Sequence, residues 1–242
     1  MALLMDGPPA TIEDLAVYDS SVLSVASTEG IDLNAKVSLA QGSLAVDLEG
    51  VLDGDPLDGV VVTPALKNFI VYSALEYVYR DAYHSQLNDR YEGRRRQYEG
   101  LRKEAWRKLL EIGVGLANEP IARSAAPVVS ATPGSGEERT YFVKCTWLNG
   151  RGEEGAASEA AEWTGATGGT LIVHAPPQPK NATGWNVYIG PVPEETTRQN
   201  TLPLPPGIVW VQERPLTSDG QRPGNGQAAT YRMAASKQLW RG

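Results

Sequence analysis

The sequence predicts a multidomain α+β chain: an N-terminal bundle of α-helices, then an all-β sandwich, then an extended C-terminal tail. Three observations predict it. Apolar residues recur at three- and four-residue spacing up to about residue 112. Beyond that point short β-branched or alternating runs take over, and most of the 17 prolines and 25 glycines fall there. After residue 215 the chain is again rich in Gly and Pro, and it then delivers a short aromatic and apolar stretch. The predicted boundaries are 1–120 for the helices, 121–215 for the sandwich and 216–242 for a linker and docking tail. A chain of 242 residues, 41% hydrophobic and 21% charged, has enough apolar material for real cores.

Thr11 with Asp14 forms a helix-start signal, because the hydroxyl caps free amides and the early acid favours the positive end of the helix dipole. A helix over about Ile12 to Ala26 follows, with a break near Gly30. Asp32 is the next cap. Leu33, Val37, Ala40, Leu44, Leu48 and Val51 then make one apolar face of a helix ending by Gly54. "DGDPLDG" is a turn-rich link. Thr63 and Pro64 start a third helix that runs to about Arg90 and is about 40 Å long. Its apolar residues, Leu66, Ile70, Val71, Ala74, Leu75, Tyr77, Val78 and Ala82, cover half the circumference, and Tyr72, Tyr79 and Tyr83 widen the arc. Such a helix needs cover on several sides: the first two helices are expected to cover part of it, and other copies of the chain the rest. Gly93 and Gly100 are expected interruptions. A fourth helix then presents Leu101, Ala105, Leu109 and Ile112 and stops at "GVGLANEP".

The strands are expected in "TYFVKCTWL", "GTLIVHA", "GWNVYIG" and "GIVWVQE", with Asn149-Gly150 as a turn. The expected core comprises Tyr141, Val143, Cys145, Trp147, Leu171, Val173, Trp185, Val187, Tyr188, Val209 and Val211. "TSDGQRPGNGQAAT" reads as a linker, and "YRMAASKQLWRG" as a segment too short to fold alone.

Composition narrows the function. A net charge of −7 disfavours a protein that coats DNA. Residues 1–59 hold one Lys against eight Asp and three Glu, a net of −10, whereas residues 66–119 are mildly basic. The single cysteine and two histidines exclude a Cys/His zinc cage and fit a reducing compartment. "MALLMDGPPA" lacks the features of an export signal, and no run is long and apolar enough to span a bilayer. Phosphate-binding loops, dinucleotide fingerprints, zinc-protease motifs and nucleophile elbows are all absent, so no catalytic residue and no cofactor is expected. Asp53, Asp55 and Asp58 do not have the spacing of a calcium loop. His84 has no companion nucleophile. Trp147, Trp185 and Tyr188 would suit a carbohydrate platform, but in a small sandwich they are better read as core. The cations Arg94, Arg95, Arg96, Arg102, Lys103, Arg107 and Lys108 are spread around their helix among Glu92, Glu99, Glu104 and Glu111. That pattern reads as a mixed-charge face with pairs three or four residues apart.

Two stretches carry a resemblance. "LEYVYRDAYHSQLNDRYEGRRRQYEGL" with "GVGLANEPIARSAAP" resembles the helical part of head-to-tail connecting (neck or adaptor) proteins of tailed bacteriophages. "ERTYFVKCTWLNGRGEEGAASEA" with "ATGWNVYIG" resembles the fibronectin type III or immunoglobulin-like modules appended to phage structural proteins. The resemblance implies a non-enzymatic virion protein made in the host bacterial cytoplasm. It implies a ring, dodecameric, that docks under the portal, contacts other neck or tail proteins, and lets DNA pass its lumen without specific binding. Tyr231, Met233, Leu239, Trp240 and Arg241 are the expected portal-docking residues. Tyr72, Tyr79, Tyr83, Arg94, Arg95, Arg96 and Tyr98 are the expected subunit contacts. The alternative is a tail or baseplate protein whose immunoglobulin-like domain binds a host-surface glycan or protein.

Overall fold

The fold is taken from a computed structural model that describes residues 1–86 and 89–233. It is mixed α+β, with five α-helices and three antiparallel sheets among the described residues. The chain forms two compact units. Among the described residues, one comprises 4–116 and 229–233; the other comprises 1–3 and 117–228. The chain thus leaves the helical unit after Leu116, builds the β unit, and returns at Ala229.

In the helical unit, α1 (Ile12–Tyr18) opens with the expected capping box. The Asp14 amide donates to Thr11 Oγ1 at 3.3 Å, and the Thr11 amide donates to Asp14 Oδ2 at 2.9 Å. The helix does not continue to Ala26 as expected. It ends at Asp19, whose backbone is extended, and α2 (Val22–Glu29) begins afresh. The cause is local: the Asp19 carboxylate takes the Ser21 amide at 3.0 Å and the Ser21 hydroxyl at 2.6 Å, a turn that competes with helix continuation. Gly30, at φ 65°, closes α2. Asp32 caps α3 (Leu33–Leu52) through the Ala35 amide, and Leu33, Val37, Ala40, Leu44 and Leu48 are buried as their spacing predicts.

Thr63 Oγ1 accepts from the Leu66 amide at the start of α4 (Pro64–Gln86). A 3₁₀ turn, Asp89–Tyr91, precedes α5 (Glu92–Ile112), which runs unbroken through Gly93 and Gly100. The expected interruptions are therefore absent. Each glycine costs about 1 kcal/mol of helix propensity, which packing along α4 outweighs. Helix α4 is the axis of the unit. Leu66, Phe69, Ile70, Val71, Ala74, Leu75, Val78, Tyr79 and Ala82 are all buried in one core with residues of α1, α2, α3 and α5. This overturns the expectation that sister copies must cover α4: the chain's own helices do so. Ile112, expected in the apolar stripe of α5, is 51% exposed.

"GVGL", expected only as a helix stop, forms β1 (Val114–Leu116). It pairs antiparallel with β9 (Thr230–Arg232), Gly115 facing Tyr231. The Val61 amide donates to Gly115 O at 2.9 Å, and a Cβ on Gly115 would lie 2.8 Å from Thr63 Cγ2 and 2.9 Å from Ala229 Cβ. Only glycine fits this backbone approach.

The β unit holds a three-stranded and a four-stranded sheet. The first is ordered β2 (Val128–Ala131), β5 (Leu171–His174), β8 (Trp210–Val211). The second is ordered β4 (Ala161–Ala166), β3 (Glu138–Asn149), β6 (Ala182–Gly190), β7 (Thr197–Arg198). Both sheets feed one core, in which Val143, Cys145, Trp147, Leu171, Val173, Trp185 and Val187 are buried as expected. Tyr188 is buried too, but on the opposite face of β6, where its hydroxyl donates to Glu154 Oε1 at 2.6 Å. Val211 is corrected to an exposed position at 45%, and its neighbour Trp210 is the buried one. A one-residue shift in a strand exchanges its faces. The turn after β3 is tight, with the Gly152 amide bonded to Asn149 O at 3.0 Å. Residues 217–228, expected as linker, are tied down. The Gln227 side chain donates to Asn118 O (3.1 Å) and Glu119 O (3.3 Å), and its Oε1 accepts from the Ile121 amide at 2.7 Å. Gln221 O accepts from the Arg198 amide at 2.9 Å.

Candidate functional site

The residues expected at subunit contacts lie on α4 and α5, and the structure draws several of them inward. Tyr79 and Tyr98 are 1% and 2% exposed, and their rings stack at 5.6 Å. Their hydroxyls donate to Asp19 Oδ2 at 2.7 and 2.9 Å, and Arg94 Nη1 approaches the same oxygen at 3.4 Å. Asp19, itself buried, thus ties the α1–α2 junction to both long helices. Tyr79 and Tyr98 are corrected from intermolecular contacts to internal ones, because this acceptor on the same chain satisfies their hydroxyls in the core. Burial on its own would raise the Asp19 carboxyl. The hydrogen bonds from Ser21, Tyr79 and Tyr98 outweigh it and hold the pKa below the ordinary carboxylate value. Burial and the Asp19 bond push Tyr79 up to about 12.

The remaining expected contacts stay at the surface or half-buried. Tyr72 meets Tyr18 edge-on at 5.4 Å, and the Tyr18 hydroxyl donates to Asn68 Oδ1 at 2.6 Å. Arg95 lies over the Tyr83 ring at 5.8 Å. Arg96 pairs with Glu92 at 2.6 Å. The rest of α5 follows the mixed-charge reading. Lys103 pairs with Glu99 at 2.6 Å, Arg107 bridges Glu104 and Glu111, and Lys108 reaches Glu104 at 3.4 Å. Arg102 crosses to Glu76 on α4. Cations matched in this way offer little to a phosphate backbone.

Between α4 and α5 a shallow groove of about 280 Å³ remains, lined by Ala65, Asn68 and Tyr72 on one side and Leu101, Ala105 and Ile112 on the other. The strand pair β1–β9 places Tyr231, one of the expected docking residues, in the same unit. Tyr231 sits in β9 and is half exposed, and Arg232 pairs with Asp55. Met233 Sδ comes within 3.3 Å of where a Cβ on Gly113 would stand. Leu239, Trp240 and Arg241 lie outside the described residues.

No reactive constellation assembles among the described residues. No group of three or more His, Cys, Asp or Glu side chains is placed to hold a metal ion. Asp55 is taken by Arg232, and Asp53 closes α3 in the left-handed region at φ 50°. Cys145 is buried against Ser124 Oγ at 3.0 Å, and burial raises its thiol pKa, the opposite of what a nucleophile needs. Trp147 and Trp185 are core residues, tilted against each other at 6.4 Å, and form no exposed platform. No helix among the described residues is long and apolar enough to cross a membrane.

Asp19 is the principal residue that periodicity missed. Its signal was present as "DSS" inside an apparently helical run, since such residues bond their own backbone and interrupt helices. Gln227 carried no signal at all, because its partners at Asn118, Glu119 and Ile121 are about a hundred residues away. Comparison with known proteins found no matching family, no matching curated protein and no matching solved structure.

Proposed function

We propose that this protein is a structural subunit of a tailed-phage virion. It joins the capsid portal to the tail as one member of a ring, with the β unit acting as an immunoglobulin-like sandwich carried on a helical bundle. The observation that carries the reading is the closure of the helical unit by β9 on β1. The β unit is thereby an insertion, and residues 234–242, with Leu239 and Trp240, issue from the helical unit. An apolar segment issuing from a rigid body is what a subunit needs to grasp a neighbour, with aromatic and arginine anchors supplying most of the affinity.

Ring closure requires repeated heterologous contacts. With Tyr79 and Tyr98 internal, the surface offers Tyr72, Tyr83, Arg95 and Arg96, together with the exposed apolar side chains Val17, Leu39 and Val46. The acid excess of residues 1–59 suits a lumen along which DNA slides, since like charge prevents tight phosphate contact. The decisive experiment mixes the purified full chain with purified portal rings and images the particles by negative stain. The expected result is a second ring on the portal. Loss of that ring on deletion of 234–242 would support the arm. Portals that remain bare with the intact chain would refute the reading.

A second reading has one observation in its favour. The β unit has an open groove of about 630 Å³ beside exposed Leu202, Ile208 and Val211. In a tail or baseplate protein this groove would contact a host-surface glycan or protein. Binding of the full chain to a glycan array or to host cells, without portal binding, would select this reading.

A further inference from the structure

We infer that the open groove of the β unit takes an extended peptide segment of another protein, which pairs with β8 and adds a strand to the three-stranded sheet. Among the described residues β8 ends that sheet, with β5 on one side and no strand on the other. The Gln212 amide donates to Leu171 O at 2.9 Å, so Gln212 and Leu171 are a hydrogen-bonded pair. By the alternation of an antiparallel ladder, Val211 and Ile172 are not. The N–H and C=O of Val211 therefore point away from β5. Val209 and Glu213, two residues to either side, make no main-chain hydrogen bond among the described residues, and all three line the groove of about 630 Å³.

The edge is left open although the chain covers its neighbour. At the end of the four-stranded sheet, the Arg198 amide of β7 is taken by Gln221 O at 2.9 Å. Strand edges are commonly guarded by a charge, a proline or a bulge, and "IVWVQ", residues 208–212, carries no charge and no proline. Instead Leu202, Ile208 and Val211 expose apolar side chains around the groove. A row of free N–H and C=O groups on every second residue, repeating about every 6.8 Å, fits a peptide backbone and neither a glycan nor a lipid.

Charge sets the partner's side chains and separates it from a second copy of this chain. Glu213 and Arg214 form no ion pair among the described residues. The added strand thus carries a cation opposite Glu213, an acid opposite Arg214 and apolar residues opposite 209–211. The β8 edge of a second copy, paired antiparallel about Val211, would set Val209 against Glu213 and Ile208 against Arg214, and it matches neither charge. The inference rests on the second reading above in taking this groove as a contact surface, and it fixes the ligand as protein and not glycan.

The test titrates the full chain with fluorescein-labelled peptides Glu-Lys-Thr-X-X-X-Thr, X being Val, Ile, Phe or Tyr, whose residues face Arg214 to Ile208 in antiparallel order. Saturable binding by fluorescence anisotropy is expected. In the tightest peptide, N-methylation of the residue opposite Val211 blocks a main-chain bond and should weaken binding about tenfold. N-methylation of the residue opposite Trp210, whose N–H faces away from β8, should leave it unchanged. Val211→Pro removes the free N–H without touching the β5 ladder, so the chain should keep its melting transition and lose the peptide. Glu213→Lys should weaken binding about fivefold, and a peptide with Glu in place of Lys should restore it. No saturable binding, or equal effects of N-methylation at both positions, would overturn the inference. So would a dimer of the full chain, seen by sedimentation, that Val211→Pro dissolves, since the edge would then belong to a second copy. Glycan binding without peptide binding sinks the inference and spares the second reading; peptide binding without any binding to host cells does the reverse.

Discussion

At the scale of single residues, Asp19 carries the most. Donors from four residues converge on one buried carboxylate: Ser21 within the turn, Tyr79 from α4, and Tyr98 and Arg94 from α5. Asp19→Ala strands two buried tyrosine hydroxyls and is expected to lower stability by about 3 kcal/mol, measured by urea denaturation. Tyr79→Phe removes one donor and should cost about 1 kcal/mol in the same assay. The pH dependence has a definite sign. The folded-state pKa of Asp19 lies below its ordinary value, as does that of Asp14, where burial is outweighed by Lys67 and the Thr11 capping bonds. Their contribution is thus complete above the unfolded-state value near about 4 and is lost as the pH falls through the lower folded values. Denaturation midpoints measured from neutral pH to about pH 3 should fall across that window, and Asp19→Asn should flatten the fall.

At the scale of elements, α5 shows tertiary packing prevailing over propensity. Its glycines at 93 and 100 have nothing within 4 Å of an added Cβ and no positive φ. Gly93→Ala and Gly100→Ala are each expected to raise stability by about 0.5–1 kcal/mol, seen as higher melting temperatures. Gly115→Ala should have the opposite effect, because its methyl group meets Thr63 and Ala229. The α1–α2 break and the continuity of α5 have one physical basis. A side chain that satisfies the backbone locally ends a helix, and an apolar face with a partner carries a helix through weak positions.

For the molecule as a whole, the insertion of the β unit has a measurable consequence. Ending the chain at Ala228 removes β9 and leaves the edge of β1 unpaired, while every residue of the β unit remains. Calorimetry of that variant should show the transition of the helical unit shifted down and that of the β unit retained. The expectation that α4 demanded sister copies failed at this scale. A helix wheel counts apolar residues but not the helices available to meet them, and α1, α2, α3 and α5 together were enough.

The sequence by itself determined where α1, α3 and α4 start, because the caps Thr11, Asp32 and Thr63 act within one turn. It also determined which residues of α3 and β3 are buried, because burial along one element follows its period. The charge pairs along α5 were legible for the same reason. Only the tertiary structure decided that Tyr79 and Tyr98 turn inward to Asp19, that Trp210 and not Val211 enters the core, and that Thr230–Arg232 returns to Val114–Leu116. Each of these depends on a partner more than thirty residues away, and no local period encodes that meeting.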